Sequence, residues 1–439
     1  MNDIEAARLI AEKVKEKGGE TYFVGGCVRD RLMGRSGGDI DVEVHGVEVD
    51  TLCAILDGIG NRIGMGESFG IFTLAGLSLD IAMPRKERAT GKGHRDLETS
   101  VDPFAGVQAA AKRRDFTVNA IMENVLTGEI SDPYGGIEDV KKKVLRHVDG
   151  ETFGEDPLRV LRAARFAATL GFSIAPETLE ICKKTDISAL SRERIEGETK
   201  KALLGSGKPS VFFNSLKEMG QLGVWFGELN ALDGVEQSRK YHPEGDAFVH
   251  TMAVVDHAAS LRDKAEKPYF FMLSALCHDM GKAVTTEYFG GDWHSYNHEK
   301  EGLPIIGDFV SRLSSEKELK KYVLNMAENH MRPNACAAQN AGIKATNRLF
   351  GESVCPCDLC LLAEADRLGG DPAYGEFLSS RLGVFEEYMS RPYVTGDDLI
   401  ANGITDGKLI GEGLKMSYRL RLAGVRKDEA LKQILKNVK

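Results

Sequence analysis

The chain has 439 residues, 42% of them hydrophobic and 28% charged, a globular balance long enough for two to four domains. No apolar run approaches the ~18–20 residues of a membrane span, and the charged start MNDIEAARLIAEKVKEKGGE lacks the apolar core of a secretory signal, so a cytoplasmic protein without membrane contact is expected. The net charge of −9 argues against general nucleic-acid binding, but basic stretches at 85–95, 112–114 and 141–143 leave room for one RNA held at a local patch.

The first part, to about residue 138, mixes strands and helices. TYFVGG (21–26) predicts a strand ending in a glycine turn, with Gly25 and Gly26 opening a helix. Glycines there let the backbone approach a polyphosphate, a helix start favours anions, and Arg29 adds a positive charge. DIDVEV (39–44) alternates as a strand. Asp39 and Asp41 then project to one face, with Glu43 behind them, and Ile40, Val42 and Val44 project to the other. Adjacent carboxylates repel each other, and a hard divalent cation such as Mg²⁺, which also bridges phosphates, removes the conflict. GIFTLAGLSLDIAMP (70–84) predicts a hairpin turning near Gly76; Asp80 on it is a candidate third carboxylate, with Glu43 the alternative. Residues 84–95 are basic and hold Gly91 and Gly93, so a mobile loop is expected.

From about residue 155 the pattern turns helical. LRVLRAARFAATLGF places Leu158, Leu161, Phe166 and Leu170 on one stripe, with Gly171 as a stop. Just before it, Asp156 and Arg159 lie three apart and are expected to share a helical face. A carboxylate accepts from the amine that cytosine and adenine carry on their pairing edges, and a guanidinium donates to ring nitrogens and carbonyls. Such a pair favours C and A over G and U.

Seven of the ten histidines fall between His242 and His330, which marks a second functional unit. His278-Asp279 follows the apolar run FFMLSALC and precedes Met280-Gly281-Lys282. Imidazoles grouped with carboxylates suit Mn²⁺, Fe²⁺, Ni²⁺ or Zn²⁺ better than Mg²⁺, and such a centre activates water against a phosphoryl group. The eight cysteines read as reduced thiols. The run CPCDLC and Cys336 could hold a structural zinc, but the spacing is not that of a paired C-x-x-C site.

GGCVRD followed by DID resembles the motif of the polymerase-β-like nucleotidyltransferases, and more narrowly the class II CCA-adding enzymes and bacterial poly(A) polymerases. The match continues in order with RRDFTVNA (113–120), DPYGGIED (132–139), EDPLR (155–159) and SRERI (191–195), covering roughly residues 20–230. The resemblance implies an α+β chain: a nucleotidyltransferase palm of mixed sheet and helices at 1–138, an all-α neck and body at 139–235 and an all-α HD phosphohydrolase domain at 236–370; the helical tail at 371–439 either docks the tRNA or simply packs. It implies catalytic, Mg²⁺-holding roles for Asp39 and Asp41, with Asp80 as third acid. It implies nucleotide binding by Gly25, Gly26, Arg29, Arg113, Arg114, Asp115, Asn119, Asp156 and Arg159. The loop at 85–95 corresponds to one needed for terminal A addition. The rear motif resembles the HD superfamily signature HDxGK, which implies metal ligation by His250, His278, Asp279, His298, His330 and Asp366. His242, His257 and His294, with His45, His94 and His147, fit no slot and read as surface or supporting residues.

The implied function is template-independent CCA addition and repair on tRNA from CTP and ATP, with phosphatase, 2′-nucleotidase and 2′,3′-cyclic phosphodiesterase activity behind it. The rival readings are a poly(A) polymerase, a signalling phosphohydrolase whose front domain only binds nucleotide, and a non-catalytic RNA-binding scaffold. The HD set and the acidic chain disfavour the first, and the intact front motifs disfavour the others.

Overall fold

The computed structural model describes residues 1–35, 39–66, 70–89 and 97–438. The chain forms two compact units: residues 1–198 with 214–224, and residues 199–213 with 225–439.

The first unit opens with the helix Asp3–Glu16, started by a reciprocal cap in which Asn2 and Glu5 each accept the other's backbone N–H at 2.9 Å. Its apolar stripe, Ala6, Ala7, Ile10, Ala11 and Val14, is fully buried. The strands follow as β1 (Glu20–Val24), β2 (Ile40–His45), β3 (Arg62–Gly66), β4 (Ile71–Leu74), β5 (Leu79–Ala82), β6 (Arg85–Ala89), β7 (Leu97–Val101), β8 (Met122–Asn124) and β9 (Ile130–Ser131). Among the described residues, β3-β4-β5-β2-β1-β8-β9 form one seven-stranded mixed sheet, in which β2 and β5 alone run parallel. The β4–β5 hairpin turns at Gly76 (φ 83°), as its sequence predicts. Val42, Val44, Leu79 and Ile81 are buried on one face of β2 and β5, so Asp41, Glu43 and Asp80 occupy the other.

The basic stretch differs from the expected loop. Arg85–Ala89 is a strand, paired antiparallel with β7 from Arg85↔Val101 to Ala89↔Leu97. The β-branched Thr99 and Val101 in the partner sequence favour a ribbon that the charge count of the basic stretch hides. The rest of the expected loop, residues 90–96 with His94, lies outside the described residues.

The helix Leu158–Leu170 ends at Gly171 in the left-handed conformation (φ 72°, ψ 34°). Its buried face is broader than the predicted stripe: Val160, Leu161, Ala163, Ala164, Phe166, Ala167 and Ala168 are covered, while Leu158 and Leu170 are only half-buried.

The second unit is helical apart from one hairpin, Thr286–Phe289 with Asp292–Ser295. Its central helix, Pro268–Cys277, is apolar all round and packs against the helices Ala247–Leu261, Lys317–Asn329 and Pro356–Asp366. The C-terminal helices close a separate small core of Val394, Leu399, Ile404, Ala430 and Ile434. Among the described residues no helix is long and apolar enough to cross a membrane.

Candidate functional sites

In the first unit, the parallel register sets Asp41 opposite Asp80. Asp39 lies one residue before β2 and is exposed, so it adjoins the ladder rather than sharing it. The Asp41 carboxyl is pushed up, first by burial and then by the charges of Asp80 and Asp39, with Arg114 opposing. Arg114 does not offset the crowding of these three acids, and mutual repulsion of this kind is the condition a divalent cation relieves. Glu43 behaves differently. It is buried, its Oε2 lies 3.0 Å from Arg114 and its Oε1 2.9 Å from His45 Nε2. Burial raises its carboxyl, but Arg114 and His45 outweigh that and hold it below the ordinary range. Glu43 therefore anchors Arg114, and exposed Asp80 is the acid free to turn toward Asp41. His45, read from the sequence as a surface or supporting residue, is buried as Glu43's partner.

A cavity of about 500 Å³ opens beside these acids, lined by Gly25, Gly26, Arg29, Asp41, Arg113, Arg114, Asp115, Asn119, Asp156 and Arg159, all singled out in the sequence. Gly25 holds φ 71°, ψ −132°, a conformation that favours glycine, and a Cβ there would sit 3.5 Å from Asp41 Oδ2. A buried relay orders the floor. Arg29 Nη1 donates to Asn119 Oδ1 (2.6 Å), Asn119 Nδ2 donates to Asp115 Oδ1 (3.0 Å), and Arg162 Nε donates to Asp115 Oδ2 (2.7 Å).

Asp156 and Arg159 line the cavity but do not share a helical face. The helix starts at Leu158 with Pro157 as its N-cap, so Asp156 lies outside it, accepting from Leu158 N (3.1 Å) and from Arg194 Nη2 (2.9 Å). Arg159 donates to the carbonyls of Thr152 (2.8 Å) and Arg113 (2.7 Å). Sequence reasoning gave no site role to Arg162, to Phe166, read only as part of the apolar stripe, or to Arg194, named only within the SRERI run. The guanidinium carbons of Arg29, Arg162 and Arg165 lie 5.1, 5.2 and 3.9 Å from the Phe166 ring centre. The signal was available: Arg159, Arg162 and Arg165 recur every three residues on an otherwise apolar helix.

In the second unit, helix ends converge. Among the described residues, His250, His278, Asp279 and Asp366 form one group whose ligand atoms lie within 4.8 Å of each other, and Asp279, His298 and His330 form another. Asp279 joins them: Oδ2 faces His278 Nε2 (3.1 Å) and His250 Nε2 (3.5 Å), and Oδ1 faces His298 Nε2 (3.1 Å) and His330 Nε2 (3.5 Å). One local device repeats three times. The Nδ1 atoms of His278, His298 and His330 sit 2.8, 2.8 and 2.6 Å from the carbonyls of Ala275, Ser295 and Ala327, each three residues earlier. A ring held by Nδ1–H presents a bare Nε2, the orientation of a metal ligand. His250 is held instead by Glu244 (2.6 Å), which His242 also contacts (3.0 Å).

The donor set fits a cation. Both Asp279 oxygens and His278 Nε2 are buried and, among the described residues, make close polar contacts but no well-aligned hydrogen bond. Burial favours neutral His278, but Asp279 and Asp366 outweigh it and raise its proton affinity to about 10, so the carboxylates demand positive charge. Lys282, buried with Nζ 2.6 Å from Asp279 Oδ2 and 2.7 Å from Gln237 Oε1, supplies part of it. Lys282 is the lysine of the HDxGK run; Gln237 and Glu244 carried no sequence signal. No cysteine belongs to any of these groups among the described residues.

Residues 21–146 match the family described as Poly A polymerase head domain, and residues 247–370 match the HD domain. The solved structures of the Bacillus stearothermophilus CCA-adding enzyme in complex with CTP (TM-score 0.70, 22% identity, covering 100% of this chain and 98% of that one) and of the Thermotoga maritima CCA-adding enzyme complexed with tRNA (TM-score 0.65, 19% identity, covering 99% and 95%) share the fold. The multifunctional CCA protein of Actinobacillus pleuropneumoniae serotype 5b is 35% identical over 361 residues, covering 80% of this chain and 85% of the relative. That of Xanthomonas campestris pv. campestris strain B100 is 34% identical over 436 residues, covering 94% of this chain and 99% of its own length. With both motif sets seated in their cavities and this match running nearly end to end, the chain belongs to the multifunctional CCA protein family.

Proposed function

We propose that this protein adds and repairs the 3′-terminal CCA of tRNA from CTP and ATP without a nucleic-acid template, and that its histidine–aspartate centre hydrolyses phosphate esters at RNA ends. The observation that carries the first activity is the Asp41–Asp80 register beside an arginine-lined cavity. Asp39, Asp41 and Asp80 would hold Mg²⁺. When bound, Mg²⁺ there supplies Lewis acidity to the 3′-hydroxyl and charge neutralisation to the triphosphate. The 3′-oxygen bonds to the α-phosphorus, pyrophosphate departs with the broken bond, and the hydroxyl proton is released. The Gly25–Gly26 turn gives the triphosphate close backbone approach, with Arg114 Nη1 beside Gly25 and Arg113 lining the same cavity. Asp156 accepts from the amine of cytosine or adenine while Arg159 donates beside it. Arg194 and two carbonyls fix that pair in place.

The second activity rests on the shared Asp279. The arrangement suits one or two ions of the Mn²⁺, Fe²⁺, Ni²⁺ or Zn²⁺ type, held by His250, His278, Asp279 and Asp366 on one side and His298 and His330 on the other. We also divide the chain into palm (1–138), neck and body (139–235), HD domain (236–370) and tail (371–439); the two family matches support the first and third segments.

The test is incubation with a tRNA lacking CCA, with CTP, ATP and Mg²⁺, read by sequencing the 3′ end. Addition of C, C and A, then arrest, is expected. A run of A residues would instead identify a poly(A) polymerase.

A further inference from the structure

The histidine–aspartate centre needs room for little more than a phosphoryl group, yet it opens into a cavity of about 760 Å³. The outer part of that cavity is aromatic. Trp293, His294 and Tyr296 reach it from the second hairpin strand and the turn after it, and Tyr241 from the loop before the His250 helix. The His294 and Tyr296 rings are stacked, with centroids 5.1 Å apart and 7° between their planes. Trp293 is braced edge-on by its cross-strand partner Tyr288 at 5.1 Å. Tyr241 and Tyr296 are nonetheless each 69% exposed. The Tyr288–Trp293 pair serves the hairpin itself, but rings as exposed as Tyr241 and Tyr296 bury little area in the fold, and exposed clustered aromatics mark binding surfaces. The hairpin is also tied to the chemistry. It lies in the chain between Lys282, on Asp279, and His298, and its base is closed by Thr286 Oγ1 and Ser295 Oγ at 2.7 Å.

We infer that this aromatic wall is a nucleobase subsite: the base of a nucleoside 2′-phosphate or 2′,3′-cyclic phosphate stacks on it while the phosphate lies at the histidine–aspartate centre. The inference rests on the phosphohydrolase reading of that centre. Every base has a π-face, so stacking accepts an RNA end with little regard to its last base. It also favours nucleotide esters over small esters that carry no base.

Wild-type protein and the Trp293→Leu, Tyr296→Leu and Trp293→Phe variants, supplied with Mn²⁺, are assayed on 2′-AMP and on β-glycerophosphate, a secondary phosphomonoester without a base. The ratio of kcat/KM for 2′-AMP to that for β-glycerophosphate should fall about tenfold in each Leu variant, through KM, and recover in Trp293→Phe, since one base–aromatic stack is worth about 5- to 150-fold. A ratio that stays constant, including one in which both substrates suffer in parallel, overturns the subsite. Binding is read separately from Trp293 fluorescence in a Trp225→Phe background. Quenching by 2′-AMP but not by inorganic phosphate supports the subsite, and absence of quenching overturns it. A wild-type protein that hydrolyses neither ester sinks the phosphohydrolase reading, and the quenching result then decides the subsite alone.

Discussion

Asp80→Asn and Glu43→Gln should separate chemistry from scaffolding on the strand pair that carries the acids. Asp80 is exposed and adds repulsion to Asp41, so its neutralisation should leave stability within about 0.5 kcal/mol of wild type. Its loss as a metal-holding carboxylate should cost several kcal/mol of transition-state stabilisation, or about 10²–10³-fold in kcat. Glu43 is 8% exposed between Arg114 at 3.0 Å and His45 at 2.9 Å. Breaking a buried ion pair costs ~3–5 kcal/mol, and a glutamine that keeps the shape and one acceptor brings this to ~2–3 kcal/mol. Amide exchange in β1 and β2 should then quicken about 30- to 150-fold, at about 1.36 kcal/mol per tenfold. Initial rates of CTP addition with Mg²⁺ and hydrogen exchange read by mass spectrometry measure both effects. The reasoning is refuted if Asp80→Asn keeps a rate near that of wild type while Glu43→Gln loses activity a hundredfold with unchanged exchange.

Deleting residues 85–95 should leave CC addition and lose the terminal A; full A incorporation by the deletion variant on a CC-ended tRNA would contradict the assignment of this segment. Burial alone would raise the Asp115 carboxyl, but Arg162, Asn119 and the Phe116 N–H together hold it below the ordinary range. A depressed folded value gives stability that is present above the unfolded pKa of ~3.9 and lost as pH falls through the folded one. Asp115→Asn should therefore be less stable than wild type at neutral pH, and the gap should narrow below about pH 4; a gap that widens on acidification would remove the pairing argument. Burial pushes the Cys182 thiol up to about 12, so it should resist alkylation at about pH 8 until the protein unfolds. Native-state labelling at the unfolded rate would show that the helix Pro176–Lys184 is not packed as described.

The sheet positions were legible because period-two alternation at β2 and a glycine turn after β1 each leave a direct mark in the sequence. The sequence could not supply pairing. Neither the parallel register that sets Asp41 beside Asp80 nor the closure of Arg114 on Glu43, the two observations that favour Asp80 as the third acid, leaves a mark in the sequence. The expected Asp156–Arg159 face failed for a local reason: helical spacing applies only inside a helix, and this one begins at Leu158, capped by Pro157, after Asp156. The histidine–aspartate residues were readable as an ordered motif. The bridging position of Asp279 was not, because it depends on helices far apart in the chain meeting at one point. Glu244 and Gln237 support the centre from loop positions with no periodic or motif signal. The aromatic wall was scattered through a segment whose polar turns masked it.

One substrate tests both proposed activities of the chain: a tRNA that lacks CCA and ends in a 2′,3′-cyclic phosphate. With CTP, ATP, Mg²⁺ and Mn²⁺, wild-type protein should convert it to a CCA end. Asp279→Ala should leave it unextended, yet complete a hydroxyl-ended control. A wild-type protein that fails to extend the hydroxyl-ended control, or extends it with A residues alone, would contradict the central claim.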